Sequence, residues 1–99
     1  MSVNARRRVR HRLVGMVEIV DLGDAVKVGA IFEAGGKLKP VWFAYNGRQL
    51  AIERVTYSWL ERDGAAKIYH FAVKVGATIY ELTFEAAAFR GRLARSYVE

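Results

Sequence analysis

Residues 69–84, "YHFAVKVGATIYELTF", predict a β-hairpin whose two strands share one apolar face. Apolar residues recur at every second position, which is typical of a half-buried strand. Gly76-Ala77 fits a type II′ turn, since glycine occupies its first central position. The turn fixes the register, which pairs Val73 with Tyr80, Phe71 with Leu82 and Tyr69 with Phe84. Turn chemistry and hydrophobic pattern therefore agree.

A second hairpin is predicted upstream, in residues 41–52, "VWFAYNGRQLAI". Asn46-Gly47 supplies the two positive-φ residues that a type I′ turn requires. This turn sets two apolar pairs on one face: Val41 with Ile52, and Phe43 with Leu50. The same alternation points Trp42 away from the main core. Trp42 is therefore a candidate interface residue that could anchor a protein partner or stack on a base, unless the N-terminal strand covers it.

The hairpin between these two gives conflicting signals. Asp63-Gly64 resembles a two-residue turn, but that register sets Phe71 opposite Thr56. A continuous apolar face instead needs Phe71 opposite Tyr57, and we therefore expect an odd-length loop, Asp63–Ala65 or Arg62–Ala66.

The strand predicted from Arg48 to Leu60 also changes phase. Its apolar positions are even-numbered at first and odd-numbered afterwards: Leu50 and Ile52, then Val55, Tyr57 and Trp59. One extra residue near Glu53-Arg54 reconciles the two patterns, so a β-bulge is predicted there.

Short strands separated by glycine, asparagine and aspartate, with no convincing helix, predict an all-β fold. We expect a small antiparallel meander of five to seven strands that forms an SH3-like partial barrel, a single domain over residues 13–99. No apolar run approaches the roughly 20 residues that span a bilayer, and no signal peptide is recognised. The absence of cysteine excludes disulfides and thiolate metal sites. A cytoplasmic protein without a membrane partner is expected.

The positive charge is concentrated in residues 1–12, which carry five arginines and no acidic residue. The rest of the chain is close to neutral, so the net charge of +6 is mostly a property of this segment. We predict a flexible basic arm there. It could bind nucleic acid weakly and without sequence preference through Arg6, Arg7, Arg8, Arg10 and Arg12. The alternatives are a solvated tail or a translation start at Met16.

Two further cations, Arg54 and Lys74, lie directly opposite one another in the predicted register. Like charges at such a position are unfavourable, so a phosphate or carboxylate of a partner could lie between them. Splayed, solvated side chains are the other interpretation. Both residues are included in the candidate nucleic-acid site.

Ser58, His70 and Glu81 fall close together on the predicted solvent face, with Thr83 beside His70. Serine, histidine and a carboxylate are the components of a nucleophilic triad. However, polar residues are ordinary on that face, and a sheet offers no obvious oxyanion hole. His11 is the only other histidine, which leaves no metal-ligand set. No catalytic residue, metal or cofactor is predicted.

Over about three-fifths of the chain, from Leu38 to Tyr97, the spacing resembles a known family. The residues that carry the resemblance are Pro40, Phe43, Gly47, Ile52, Val55, Trp59, Tyr69, Phe71, Tyr80-Glu81-Leu82 and Leu93. The chain resembles a small bacterial β-rich domain family of unknown function, also found following some translesion-polymerase-like proteins. Gly91 stands where that family would carry a tryptophan. The resemblance implies a DNA-repair setting and no catalytic residues.

The sequence thus predicts a non-enzymatic binding module. Association with a protein partner, or self-association into a homo-oligomer, is the leading function. Weak sequence-independent nucleic-acid binding through the arginine-rich arm is the alternative.

Overall fold

The computed structural model describes residues 10–14, for their backbone, and residues 17–98. These residues form nine β-strands and no helix, which confirms the all-β class. The strands are β1 (Arg10–Val14), β2 (Val17–Ala25), β3 (Val28–Phe32), β4 (Leu38–Tyr45), β5 (Arg48–Ala51), β6 (Arg54–Asp63), β7 (Ala66–Val75), β8 (Thr78–Glu85) and β9 (Arg90–Val98).

The strands form two antiparallel sheets. One has six strands in the order β1-β2-β9-β8-β7-β6, and the other has three in the order β3-β4-β5. The chain passes between the sheets twice, at Val26-Lys27 and at Ile52-Glu53. The predicted range of five to seven strands is too low, in part because the expected strand over residues 48–60 divides into β5 and β6 at the second crossing.

The hairpins predicted at Asn46-Gly47 and at Gly76-Ala77 are confirmed. Asn46 and Gly47 have φ values of 51° and 72°, and Phe43 pairs with Leu50 across their turn. Gly76 has a φ of 60°, as the first position of a type II′ turn requires. The predicted pairs of the β7–β8 hairpin are all present: Val73 with Tyr80, Phe71 with Leu82 and Tyr69 with Phe84.

The odd-length loop predicted between β6 and β7 is wrong. Asp63 pairs with Ala66, which leaves Gly64-Ala65 as a two-residue turn with a Gly64 φ of 60°. The glycine therefore occupies the first central position, as Gly76 does in the next hairpin. In this register Phe71 lies opposite Ser58 instead of Tyr57.

The predicted bulge exists, but it lies at Thr56 instead of Glu53-Arg54. Val55 pairs with Val73 before the bulge, and Tyr57 pairs with Ala72 after it. The extra residue reverses the direction of the following side chains. Val55 therefore packs against the core, whereas Tyr57 and Trp59 lie on the outer face of the six-stranded sheet.

The core lies between the two sheets. Its buried apolar residues are Leu22, Phe43, Phe71, Val73, Leu82 and Leu93. Phe43 is the contribution of the three-stranded sheet, and its ring meets the edge of Tyr80 at a centroid distance of 5.1 Å. Packing around Phe43 therefore holds the smaller sheet against the larger one.

Candidate functional site

A cleft of about 710 Å³ opens at the end of the core where the β3–β4 turn, β6, β7 and the β8–β9 turn meet. Its walls include the apolar side chains of Phe32, Leu60, Tyr69, Phe71, Phe84 and Phe89. Three of these are unusually exposed: Phe32 to 74%, Phe89 to 81% and Leu60 to 41%. Clustered apolar residues exposed to this extent mark a surface that a partner can cover.

The sheet register explains why the cleft is apolar. Leu60 lies opposite Tyr69, and Tyr69 lies opposite Phe84, so one row crosses three strands on the same face. The Phe84 ring then meets the ring of Phe89, at a centroid distance of 6.2 Å. Tyr69 and Phe84 in this row are half-buried, whereas Leu60 at its end and the adjoining Phe89 are exposed.

Phe89 holds a costly backbone conformation. Its φ is 49°, in the left-handed region that bulky residues seldom adopt. It ends the turn that follows β8, where its amide donates to the carbonyl of Ala86 at 3.4 Å. The turn therefore presents a phenyl ring to solvent at a conformational cost.

A second cleft of about 550 Å³ lies between the beginning of β4 and the beginning of β6. It shares four lining residues with the first cleft: Lys37, Leu38, Ser58 and Phe71. The two clefts therefore adjoin, and together they follow β6. We call them the β6 groove.

Unpaired strand edges border this groove. β6 pairs with β7 on one side and has no strand neighbour on the other among the described residues. β5 pairs only with Trp42–Tyr45, the second half of β4. Among the described strands, Leu38–Pro40 at the beginning of β4 therefore pair with β3 on one edge and with no strand on the other. Near the crossing, the amide of Ile52 donates to the carbonyl of Val41 at 3.0 Å. Backbone groups are thus available on both walls.

The charged residues at the groove are predominantly cationic: Lys37, Lys39 and Arg54, with Glu33 and Glu53. Glu53 accepts hydrogen bonds from the Gly76 amide and from Lys74 Nζ, the latter at 3.4 Å. The Gly76 amide and the Lys74 ammonium hold the pKa of Glu53 below its usual value. The Glu53 carboxylate therefore binds the β7–β8 turn.

The predicted pair of Arg54 and Lys74 is present in the register, with the two residues directly opposite. The two side chains nevertheless differ in their surroundings. The Lys74 ammonium donates to the Gly76 carbonyl at 2.9 Å and contacts Glu53. Arg54 is exposed and lines the groove. The structure therefore offers Arg54 to a partner more readily than Lys74.

Trp42 lies on the three-stranded sheet, outside the lining of the β6 groove. It pairs with Gly29, and a Cβ atom at Gly29 would lie 2.0 Å from the indole nitrogen. The indole therefore lies across the bare backbone of β3, half-buried. Its assignment as an interface residue stays a prediction.

The predicted basic arm falls largely outside the described residues, where Arg6, Arg7 and Arg8 lie. The backbone of Arg10 and Arg12 belongs to β1, with Asp21 and Ile19 as their partners. The predicted boundary between arm and domain, after residue 12, thus falls inside a strand.

The grouping of Ser58 with His70 is wrong. Ser58 lies opposite Phe71 and Trp59 lies opposite His70, so serine and histidine are on opposite faces of the sheet. The predicted register was displaced by one residue, which exchanged these faces. The placement of Thr83 beside His70 is confirmed.

His70 instead belongs to a polar network on the outer face. Its Nε2 lies 2.6 Å from Glu61 Oε1, and its Nδ1 lies 3.5 Å from Glu81 Oε2. The ring of Trp59 stacks on the imidazole at a centroid distance of 4.5 Å. Sequence reasoning missed Glu61, since its position depends on the corrected hairpin register.

Arg95 extends this network across the sheet. Its guanidinium lies 3.2 Å from Asp21 Oδ1 and 3.4 Å from Glu81 Oε1. The Tyr97 hydroxyl also donates to Glu81, which is buried. A hydrogen bond with Tyr97 and the adjacent carboxylates raise the pKa of Arg95. These contacts neutralise a buried carboxylate, which is a structural role.

Within residues 10–14 and 17–98, no group of three or more histidine or acidic side chains is arranged to hold a metal ion. The same part of the chain contains no helix long and apolar enough to cross a membrane.

Comparison with known proteins yields no matching family model, curated protein or solved structure. The resemblance to the bacterial domain family stays a prediction.

Proposed function

We propose that this chain is a non-enzymatic binding module that associates with other proteins through the β6 groove. The exposed apolar rim formed by Phe32, Leu60 and Phe89 is the observation that carries the proposal. Covering apolar surface contributes about 25 cal/mol for each Å² removed from water. A partner that covers these three side chains gains a favourable term that the isolated chain lacks.

The conformation of Phe89 supports the same surface. A left-handed backbone at a bulky residue costs on the order of 1–3 kcal/mol, and such residues cluster at binding sites. A turn that served only to connect β8 and β9 would gain nothing from an exposed phenyl ring. We therefore place Phe89 among the binding residues.

We further propose that the two sheets form one SH3-like partial barrel. β2 continues into β3 across two residues, and β5 continues into β6 across two residues, so each connection joins the sheets. In this arrangement the β6 groove is the open seam between β4 and β6. A cytoplasmic location fits such a module and stays a proposal.

A peptide-display selection tests the proposed association. Random peptides are selected on the full chain, and their affinities are then measured for two groove variants, Leu60→Ser and Phe89→Ser. We expect each variant to weaken binding about tenfold or more, because apolar contact is lost. Ile31→Ser is the matched control, since Ile31 is exposed but lies outside the groove lining.

Two results would reject the groove as the binding surface. The first is a selection that enriches no peptide above background. The second is binding that Trp42→Ala abolishes while both groove variants retain it, which would support the interface predicted at Trp42.

A second candidate function is weak nucleic-acid binding, favoured by the outer face of β6. Tyr57 is 65% exposed, and its ring lies 5.5 Å from that of Trp59. Adjacent exposed aromatic rings can stack on successive bases, and Arg54 lies on the same strand. The arginine-rich arm would add phosphate contacts, and a DNA-repair setting would fit this function.

Anisotropy of a labelled single-stranded oligonucleotide, titrated at several salt concentrations, tests this candidate. Nucleic-acid binding predicts a steep loss of affinity with salt and a further loss in Tyr57→Ala. An unchanged anisotropy at low salt would eliminate it.

A further inference from the structure

We infer that the partner of the β6 groove is an extended segment of another protein, rich in acidic and apolar residues, that pairs with β6 as an added strand. This inference rests on the proposed association function. To that function it adds two properties of the partner: an extended backbone and a negative charge. Strand addition of this kind obtains affinity from main-chain hydrogen bonds and specificity from side chains that enter pockets.

The edge of β6 is long enough to accept such a strand. After the bulge at Thr56, seven consecutive residues from Tyr57 to Asp63 pair with β7 without interruption. Their opposite edge has no strand neighbour in the described part of the chain. Short edge strands or covering loops ordinarily protect such an edge, so an uncovered edge of this length can pair with another chain.

The side chains next to this edge dictate an alternating partner. All three of Ser58, Trp59 and Leu60 border the first cleft. Ser58 and Leu60 lie on the core face of the sheet, opposite Phe71 and Tyr69, whereas Trp59 lies on the other face and stacks on His70. An added strand likewise directs every second side chain to each face. The side chains on its inner face enter the cleft among Leu60, Tyr69 and Phe84, and apolar residues are therefore required there.

The charges of the groove select acidic residues for the remaining positions. Lys37, Lys39 and Arg54 lie along it, while the Glu53 carboxylate is bonded to Gly76 and Lys74. Among the residues that line the second cleft, three cations thus face a partner against one other carboxylate, Glu33, whereas Glu61, Arg62 and Asp63 lie at the far end of β6. Acidic side chains complement this potential, and basic ones do not.

A second copy of this chain is the competing occupant. Antiparallel pairing of two β6 strands about Ser58 sets Arg54 opposite Arg62 of the other copy, and like charges directly opposite are destabilising. Pairing about Leu60, the middle of Tyr57–Asp63, instead sets Trp59 opposite Glu61 and brings no like charges together. Charge repulsion therefore excludes only the first register, and the choice of an acidic partner rests on the cations that line the groove.

A set of synthetic nine-residue peptides tests the inference. The parent alternates valine with threonine and carries aspartate or glutamate at several outward positions. One analogue replaces the acidic residues with lysine. Two others carry N-methyl groups at alternate residues, one set along each edge of the extended peptide. Affinity for the full chain is measured by the anisotropy of a labelled peptide.

We expect the parent to bind and the lysine analogue to bind about tenfold more weakly or worse. One N-methylated analogue loses binding while the other retains it, because an added strand donates its amides to β6 from a single edge. Lys37→Glu leaves two cations against two carboxylates and so removes most of the preference for the acidic peptide, whereas Lys67→Glu, outside the groove lining, leaves it unchanged.

Equal binding of both N-methylated analogues would overturn strand addition while leaving the apolar association intact. Tighter binding of the lysine analogue than of the parent peptide would overturn the claim that the partner is acidic. Reversible dimerisation of the chain alone that Leu60→Lys abolishes would show that a second copy fills the groove. A failure of the proposed function, association through the β6 groove, would give a different result. Display-selected peptides would then bind the Phe89→Ser variant as tightly as they bind the unaltered chain.

Discussion

Phe43→Ala is expected to lower the free energy of unfolding by about 3–5 kcal/mol. Phe43 is fully buried and joins the three-stranded sheet to Tyr80 of the larger sheet. Removing the ring loses its apolar burial and leaves a cavity between the sheets. Urea denaturation followed by circular dichroism measures the change, provided that both proteins unfold in one transition.

Phe32→Ala is the matched control for this experiment. The same side-chain atoms are removed, but Phe32 is largely exposed. We expect a change within about 0.5 kcal/mol. Equal losses in the two variants would contradict the assignment of Phe43 to the core between the sheets.

Arg95→Leu is expected to lower the free energy of unfolding by about 1–3 kcal/mol. The substitution removes the cation that contacts Asp21 and the buried Glu81. Glu81 then keeps the Tyr97 hydroxyl and a 3.5 Å contact with His70. Its charge is less well compensated, and chemical denaturation at neutral pH measures the loss.

The double variant Arg95→Leu/Glu81→Leu separates loss of charge compensation from loss of packing. Removing both partners leaves no uncompensated carboxylate at position 81, so the double variant should be more stable than Arg95→Leu alone. Arg92→Leu is the control, since its contact, a 3.4 Å hydrogen bond to the Gly23 carbonyl, is exposed. A double variant less stable than both single variants would contradict this explanation.

The part of the fold that sequence could predict is the part that local rules determine. Asn46-Gly47 and Gly76-Ala77 each join a specific turn chemistry to an apolar alternation in the same register. The turn residues and the apolar alternation therefore predict the same register in each case, and the structure has both hairpins.

The hairpin between β6 and β7 shows where this reasoning fails. The odd-length loop predicted there sets Phe71 opposite Tyr57, one residue away from Ser58, its partner across the Gly64-Ala65 turn. An apolar pattern cannot correct the error, because the bulge at Thr56 turns Tyr57 and Trp59 outward. Bulge position depends on how the strand leaves one sheet and joins the next, which is a tertiary property.

The β6 groove could not be predicted for the same reason. Its walls come from β4 and β6, which are adjacent only because the chain crosses between the sheets at Ile52-Glu53. The alternation of the strand predicts that Trp42 points away from the core and is an interface candidate. The sequence does not show that Gly29, which has no Cβ atom, leaves space for the indole ring. Arg54 is the predicted site residue that the structure places in the groove.

Amide hydrogen exchange of the full chain, with and without a saturating acidic strand peptide, tests the central claim most directly. The claim predicts that amides on the outer edge of β6, within Tyr57–Asp63, become protected when the peptide binds, because they acquire main-chain acceptors. Amides of β5, on the three-stranded sheet, should exchange at an unchanged rate. Bound peptide without new protection in β6, or with protection confined to the three-stranded sheet around Trp42, would contradict it.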